Sequence, residues 1–266
     1  MRQYTSSESN NKPKTRRKSV KITFIGTSHG VPAANRYCSC TLIEVGDAAY
    51  FIDAGAPMAE SLIKKNIPID NVKAVFTTHA HGDHVGYLFP FISLTNWYYS
   101  NSSIKFHVTE TEFAKALADT VKVCDGTALS DRHSIITVNK DFVYDDGILK
   151  ATFLPTKHMA HSGSRPSYAI LIEAEGKKIM FTGDLSMHLE LGDYPRYVID
   201  NDVDAVVCEL AHFGVDEVLP NILNTKTKAL FFNHVYPLDK YDQLAKAAPS
   251  VPYPVFTPND GDVYMI

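Results

Sequence analysis

Four polar side chains crowd into six positions directly after an apolar segment of the chain. Residues 74–77 read AVFT, which predicts a buried strand, and His79, His81, Asp83 and His84 follow almost at once. Imidazole and carboxylate groups held this close at the end of an apolar strand are poorly solvated, and the histidines repel one another when protonated. A divalent cation removes both problems. The segment therefore predicts a metal site at the end of a strand.

The spacing within this cluster divides it into two pairs. Alternation along the chain places His79 and His81 on one side, suited to a first ion, while Asp83 and His84 turn toward a second. Nitrogen and oxygen ligands of this kind suit zinc, with manganese or iron as alternatives. We therefore predict a centre of two divalent metal ions.

The rest of the chain predicts many strands, with helices in blocks. Short β-rich segments such as VKITFIG and AAYFIDAG end at glycines or polar turns, and helical patterns fall near 57–66, 86–99, 110–123 and 238–247. This order favours an α/β (α+β) four-layer sandwich, in which two sheets pack face to face with helices outside. We predict a flexible basic tail at 1–18, which is too polar to bury a core, and a single domain at 19–266.

The composition limits the kinds of binding partner and the cellular location that we expect for the chain. The net charge of −4 and the pI near 6.2 give no overall attraction to nucleic acid or to anionic membranes. No apolar run reaches the ~20 residues of a membrane span, and the first residues lack the order of a secretory signal. We therefore expect a cytoplasmic protein with reduced cysteines, and the pair Cys38 and Cys40 alone is weak evidence for a structural zinc.

Two stretches of the sequence resemble a known family. The run from His79 to His84, HAHGDH, matches the H-x-H-x-D-H signature of the metallo-β-lactamase fold. Upstream, GTSHGVP and the D-x-G turn at Asp53 resemble the branch of ribonuclease Z and phosphoribosyl cyclic phosphodiesterase. The resemblance covers nearly the whole chain from Lys21 onward. It implies an αββα sandwich and a hydrolase with two metal ions.

This resemblance also implies three further metal ligands. Asp184 in KKIMFTGDLS resembles the bridging aspartate, His234 ends the apolar run ALFF, and His158 or His161 in TKHMAH supplies the last. We select His158, with His161 as the alternative. The implied first set is His79, His81 and His158, the second set is Asp83, His84 and His234, and Asp184 lies between them. A hydroxide that bridges the two ions would then be the nucleophile.

Three more residues are expected to support the reaction. His212 follows the apolar run VVCEL together with Glu209 and would donate a proton to the leaving oxygen or contact a phosphate. Asp83 is expected to be both a metal ligand and a catalytic group. Asp53 would orient a ligand histidine.

The substrate is expected to be small. Only residues 169–183 separate Tyr168 from Asp184, which leaves no room for the long arm with which ribonuclease Z enzymes typically grip transfer RNA. We therefore predict a phosphodiesterase for a small or cyclic phosphodiester, without a membrane partner, and the resemblance implies a homodimer. Three alternatives remain: processing of transfer-RNA 3′ ends, hydrolysis of a lactone or thioester, and a catalytically silent metal-binding sensor.

Overall fold

The computed structural model describes residues 19–31 and 33–266, so the predicted basic tail at 1–18 lies outside the described residues. Within these ranges, fourteen strands form two sheets of seven. The strands of the first sheet are β1 (Lys21–Gly26), β2 (Cys40–Val45), β3 (Ala48–Ile52), β4 (Val72–Phe76), β5 (Lys105–Val108), β6 (Ser134–Thr137) and β14 (Val263–Met265). Those of the second sheet are β7 (Val143–Asp145), β8 (Lys150–Pro155), β9 (Tyr168–Ala174), β10 (Lys177–Phe181), β11 (Ala205–Leu210), β12 (Leu230–Val235) and β13 (Val255–Phe256).

Both sheets are mixed. The first has the order β14-β1-β2-β3-β4-β5-β6, antiparallel from β14 to β3 and parallel from β3 to β6. The second has the order β13-β12-β11-β10-β9-β8-β7, parallel from β13 to β10 and antiparallel from β10 to β7. Each sheet thus combines a parallel half with an antiparallel half.

Side chains alternate between two environments along the central strands. In β4, Ala74 and Phe76 pack into the core between the sheets, whereas Val75 faces the helices on the outer side. In β11, Val207 belongs to the central core and Val206 to the outer layer of the second sheet. This period of two explains why the strands read as nearly continuous apolar runs, since both of their faces are buried.

Helices cover the outer face of each sheet. The first sheet carries α1 (Met58–Lys64), α3 (Leu88–Trp97) and α4 (Thr111–Asp125), whose apolar side chains share a core with the outer residues of β2 to β5. The second carries α5 (Tyr197–Asp200), α6 (Val215–Asn224) and α7 (Lys240–Ala247). The predicted α/β four-layer sandwich is therefore confirmed.

Two details of the helices differ from the sequence-based expectations. The predicted helix at 86–99 corresponds to α3, and a short helix α2 (Gly82–Val85) that was not predicted precedes it. The helix α6 was not predicted, because Pro220 lies inside it and proline disfavours helix interiors. No helix in the described ranges is long and apolar enough to cross a bilayer.

Strand ends converge on one edge of the sandwich. The loops after β4, β8 and β10 carry His79, His81, His158 and Asp184, and the short helix α2 carries Asp83 and His84. In β12 the pairing with β11 shifts register at His234, whose backbone has a φ of +56°. This bulge turns the side chain of His234 out of the regular alternation.

Candidate metal centre

Three histidine rings bring their nitrogens together at this edge. The Nδ1 atom of His81 lies 3.0 Å from Nε2 of His79 and 3.2 Å from Nε2 of His158. The three nitrogens form one group of candidate ligand atoms, all within 4.8 Å of one another. Two histidines therefore offer Nε2 and one offers Nδ1 to a common position.

A second group lies beside the first. The Oδ2 atom of Asp83 is 3.7 Å from Nε2 of His84 and 3.7 Å from Nε2 of His234. The Asp184 carboxylate lies between the groups: its Oδ2 atom is 3.3 Å from Nε2 of His234 and 3.8 Å from Nε2 of His79, and its Oδ1 atom is 3.4 Å from Nε2 of His84. One carboxylate thus reaches both sets of ligand atoms.

The two alternative histidines occupy different environments. His158 lies 3.8 Å through its Nε2 atom from Oδ2 of Asp184, and only 8% of its side chain is exposed. His161 is 68% exposed and its Nε2 atom is paired with Oε1 of Glu190 at 2.8 Å. The structure therefore brings His158, and not His161, into the cluster.

Hydrogen bonds at the far side of three rings fix their orientation. The Nδ1 atoms of His84, His158 and His234 lie within 2.7–3.1 Å of an acceptor, and these acceptors are Oδ2 of Asp53, the carbonyl of Leu185 and the carbonyl of Ser28, respectively. A ring that donates from Nδ1 leaves the lone pair of Nε2 free for a metal ion. The predicted orienting role of Asp53 therefore has a geometric basis.

Two glycines let neighbouring loops approach Asp83. A Cβ atom at Gly30 would lie 2.9 Å from Oδ2 of Asp83, and one at Gly55 would collide with the carbonyl oxygen of Asp83. These glycines belong to the SHG and DAG turns of the sequence. Because neither glycine carries a side chain, one turn can approach the Asp83 carboxylate and the other its backbone carbonyl.

The buried atoms of the centre fit divalent cations. Within the described residues, Nε2 of His84, Nε2 of His234 and Oδ1 of Asp184 are buried without a hydrogen-bond partner. Burial without a partner is unfavourable for each of them. A cation between the two sets would satisfy all three, and the mixture of imidazole and carboxylate suits zinc, manganese or iron.

The electrostatics of the cluster are unusual. Burial holds the pKa of His79 well below its usual value, so this ring is neutral and ready to bind. Burial also lowers the pKa of His84, but the carboxylates of Asp184 and Asp53 outweigh it and hold that pKa well above its usual value. Without a cation, the centre therefore takes up a proton at His84 to balance its carboxylates.

His212 lies at the rim of the centre and is held by Glu209. The buried Glu209 carboxylate accepts hydrogen bonds from the backbone of Leu185, Ala211 and His212, and its Oε1 atom lies 2.9 Å from Nδ1 of His212. Burial lowers the pKa of His212, but Glu209 outweighs it and raises the pKa to about 9. The same Nδ1 atom lies 3.8 Å from Oδ2 of Asp184.

Two residues near the centre were not singled out from the sequence. The ring of His29 lies 5.0 Å from that of His234 and stacks on Tyr236 at 4.9 Å. Asp193 contacts the two loops that carry His158 and Asp184. The position of His29 in the SHG turn could have indicated the first, whereas the polar segment around Asp193 reads only as a turn. Neither Cys38 nor Cys40 belongs to a ligand cluster in the described part of the chain.

Comparison with known proteins identifies the family. Residues 20–243 match the sequence model of the family described as anti-Pycsar protein Apyc1. The chain belongs to this family. Among curated relatives, this Apyc1-family chain is 27% identical over 175 residues to the ribonuclease Z of a Synechocystis strain, an alignment that covers 61% of the chain and 52% of the relative. The aligned region thus spans about half the length of that relative.

Solved structures confirm the fold of the Apyc1-family chain. The metallo-β-lactamase fold protein YhfI from Bacillus subtilis superposes with a TM-score of 0.75 at 20% identity, covering 94% of the chain and 100% of YhfI. A diphosphatase of the PhnP family superposes with a TM-score of 0.66 at 13% identity, covering 93% of the chain and 97% of that protein. The metallo-β-lactamase fold predicted from the HAHGDH signature is therefore confirmed.

Proposed function

We propose that this protein is a metal-dependent phosphodiesterase that hydrolyses a small or cyclic phosphodiester. The observation that carries the proposal is the pair of ligand sets that share one carboxylate, Asp184. When bound there, two divalent cations supply a water of lowered pKa and neutralise charge that develops on the phosphoryl group.

The ligand assignment follows two of four overlapping groups of candidate ligands; the other two contain Asp184, one with His79 and His84 and one with His158 and His212. One ion is assigned to His79, His81 and His158, and the other to Asp83, His84 and His234, with Asp184 available to both. The predominance of imidazole favours zinc, and manganese and iron are the alternatives. His161 is not assigned a ligand role because its side chain pairs with Glu190 at the surface.

His212 is assigned the role of proton donor to the leaving oxygen. Its Nδ1 atom is engaged by Glu209, so Nε2 carries the proton that can be transferred. In the metal-free chain, a pKa of about 9 keeps the ring charged at neutral pH. An alkoxide leaves a phosphodiester more readily when such an acid protonates it.

The connection between β9 and β10 supports a small substrate. These strands are joined by a tight turn at Glu175 and Gly176, which both have positive φ, and a turn of this kind has no room for an arm. The net charge of −4 also gives no general attraction to a polynucleotide. A diphosphatase of the PhnP family has the same fold.

Processing of transfer-RNA 3′ ends is the second candidate function. It is favoured by the similarity to a ribonuclease Z, although the aligned region covers only half of that relative. The tight β9–β10 turn argues against it because transfer RNA would need a grip that this hairpin does not offer.

The proposal is tested by a substrate screen on the full chain reconstituted with zinc or manganese. The substrates are bis(p-nitrophenyl) phosphate, 3′,5′-cyclic nucleotides, a lactone and a precursor transfer RNA. We expect cleavage of the first two, loss of that cleavage in Asp184→Asn, and retention in the control His161→Ala. Cleavage of the lactone alone, or of the transfer RNA alone, would overturn the proposal, and so would no cleavage of any substrate.

A further inference from the structure

Asp193 ties together the two loops that follow β8 and β10. Its Oδ2 atom accepts hydrogen bonds from the backbone amides of Lys157 and Ser186, each at 2.9 Å. Its Oδ1 atom accepts a hydrogen bond from the hydroxyl of Ser186 at 2.6 Å. A single carboxylate therefore bridges the backbones of two loops that are distant in sequence.

These contacts lie next to two proposed ligands. Lys157 directly precedes His158, and Ser186 is two residues after Asp184. Between them, the Nδ1 atom of His158 lies 3.1 Å from the carbonyl of Leu185, so the orientation of that ring depends on the separation of the loops. A change in this separation would move Nε2 of His158 relative to the Asp184 carboxylate.

The loop after β10 needs such an anchor. His188 and Leu189 both have positive φ, at 54° and 50°, a conformation that costs about 1–2 kcal/mol for each residue with a side chain. Glu209 holds the start of this loop through the amide of Leu185. Asp193 holds its far end back to Ser186, so the two carboxylates fix the loop from opposite sides.

A second acidic side chain in the same loop makes a weaker link. Glu190 pairs with His161, and these side chains are 48% and 68% exposed, so the pair is expected to contribute little. Glu190 joins the same two loops as Asp193 but contacts neither Lys157 nor Ser186. It is therefore a matched control for the loss of a carboxylate from this loop.

We propose that Asp193 is a positioning residue for the metal centre. By fixing the separation of the two loops, it sets the geometry of His158 and Asp184 and thereby the affinity for the ion assigned to His79, His81 and His158. The inference rests on the proposed function because it takes these residues to be metal ligands.

The test compares zinc binding by the full-length wild type, Asp193→Ala, Asp193→Asn and Glu190→Ala. Zinc dissociation constants are measured by competition with a chromophoric chelator, and the metal-free proteins are checked for folding by thermal melting. We expect Asp193→Ala to bind one of two ions about 10–100-fold more weakly. Asn should restore affinity, since its Oδ1 can accept both amides while its Nδ2 donates to the Ser186 hydroxyl. Glu190→Ala should match the wild type.

Three results with the variants would overturn the inference. They are an Asp193→Ala protein with wild-type affinity for both ions, an equal loss in the Ala and Asn variants, and a loss in Glu190→Ala as large as in Asp193→Ala. A wild-type chain that binds two ions but cleaves no phosphodiester would refute the proposed function while the affinities still decide the role of Asp193. A wild type that binds no divalent ion would refute both.

Discussion

Replacement of Asp53 by asparagine should weaken the metal centre without removing any ligand. The Oδ2 atom of Asp53 lies 2.7 Å from Nδ1 of His84, and its Oδ1 atom accepts the backbone amide of Thr78 at 2.8 Å. The Thr78 amide donates to Asp53, and so does Nδ1 of His84 when its Nε2 atom is kept free for the ion. Asparagine suits the test because Asp53 has a φ of +60°, a region that asparagine tolerates better than most residues.

Either orientation of the new amide places a donor against a donor. With its NH2 toward His84, Nδ1 must become the acceptor and the ring proton moves to Nε2, the atom assigned to the ion. With its NH2 toward Thr78, the backbone amide loses its acceptor in a buried site. In the first orientation, binding of an ion at Nε2 breaks the new hydrogen bond to Nδ1; loss of this buried partner costs about 1–3 kcal/mol, which corresponds to an affinity about 5–150-fold weaker.

Competitive titration of zinc into metal-free protein measures the effect. The control is Asp146→Asn, because Asp146 is likewise a carboxylate that accepts several hydrogen bonds, from two backbone amides and two hydroxyl groups, but lies in the turn between β7 and β8, which carries no proposed ligand. We expect weaker binding in Asp53→Asn and wild-type binding in the control. Equal affinity in the wild type and Asp53→Asn would refute the orienting role of Asp53.

Gly30, His84 and Asp146 can be tested with the same binding and unfolding assays. Gly30→Ala should weaken zinc binding about tenfold in the titration, since the new Cβ would displace the Asp83 carboxylate; unchanged binding would contradict this. Zinc affinity should rise with pH across the neutral range, because His84, whose raised pKa keeps it protonated, must release its proton to bind; a flat profile from competition titrations at several pH values would contradict this. Burial raises the pKa of Asp146, but hydrogen bonds from Leu149 and Tyr50 outweigh this effect and lower that pKa in the folded state. The ionised carboxylate therefore stabilises the fold above its unfolded pKa of ~3.9, and this stabilisation is lost as the pH falls through the folded pKa. Asp146→Ala should therefore lower the free energy of unfolding by ~1–2 kcal/mol at neutral pH, and urea unfolding that shows the same deficit below the folded pKa would oppose that explanation.

The local sequence was sufficient to predict the part of the candidate site in which the ligand residues lie in one short segment. The cluster from His79 to His84 follows directly from a strand and a tight turn, so its members must lie close together whatever the rest of the fold. The apolar runs before Asp184 and His234 likewise predicted strands that end at the same edge. The layers followed from the blocks of strands and helices, since each strand buries both faces.

Features that depend on contacts between distant parts of the chain could not be predicted from the sequence. His158 and His161 lie on the same short 3-10 helix, and what distinguishes them is the contact of His158 with Leu185, 27 residues away, and that of His161 with Glu190. Asp193 was missed for the same reason, because its partners lie in two other parts of the chain. The helix α6 was missed because Pro220 conflicts with helix propensity, and packing against the second sheet overrides that conflict.

The most direct test of the account is the rate of bis(p-nitrophenyl) phosphate hydrolysis as zinc is added to chelator-treated full-length protein. The two ligand sets that share Asp184 predict no turnover before metal is added and a rate that levels off when two ions are bound per chain. Turnover that persists in fully metal-free protein, or that levels off at one bound ion, would contradict the two-ion centre.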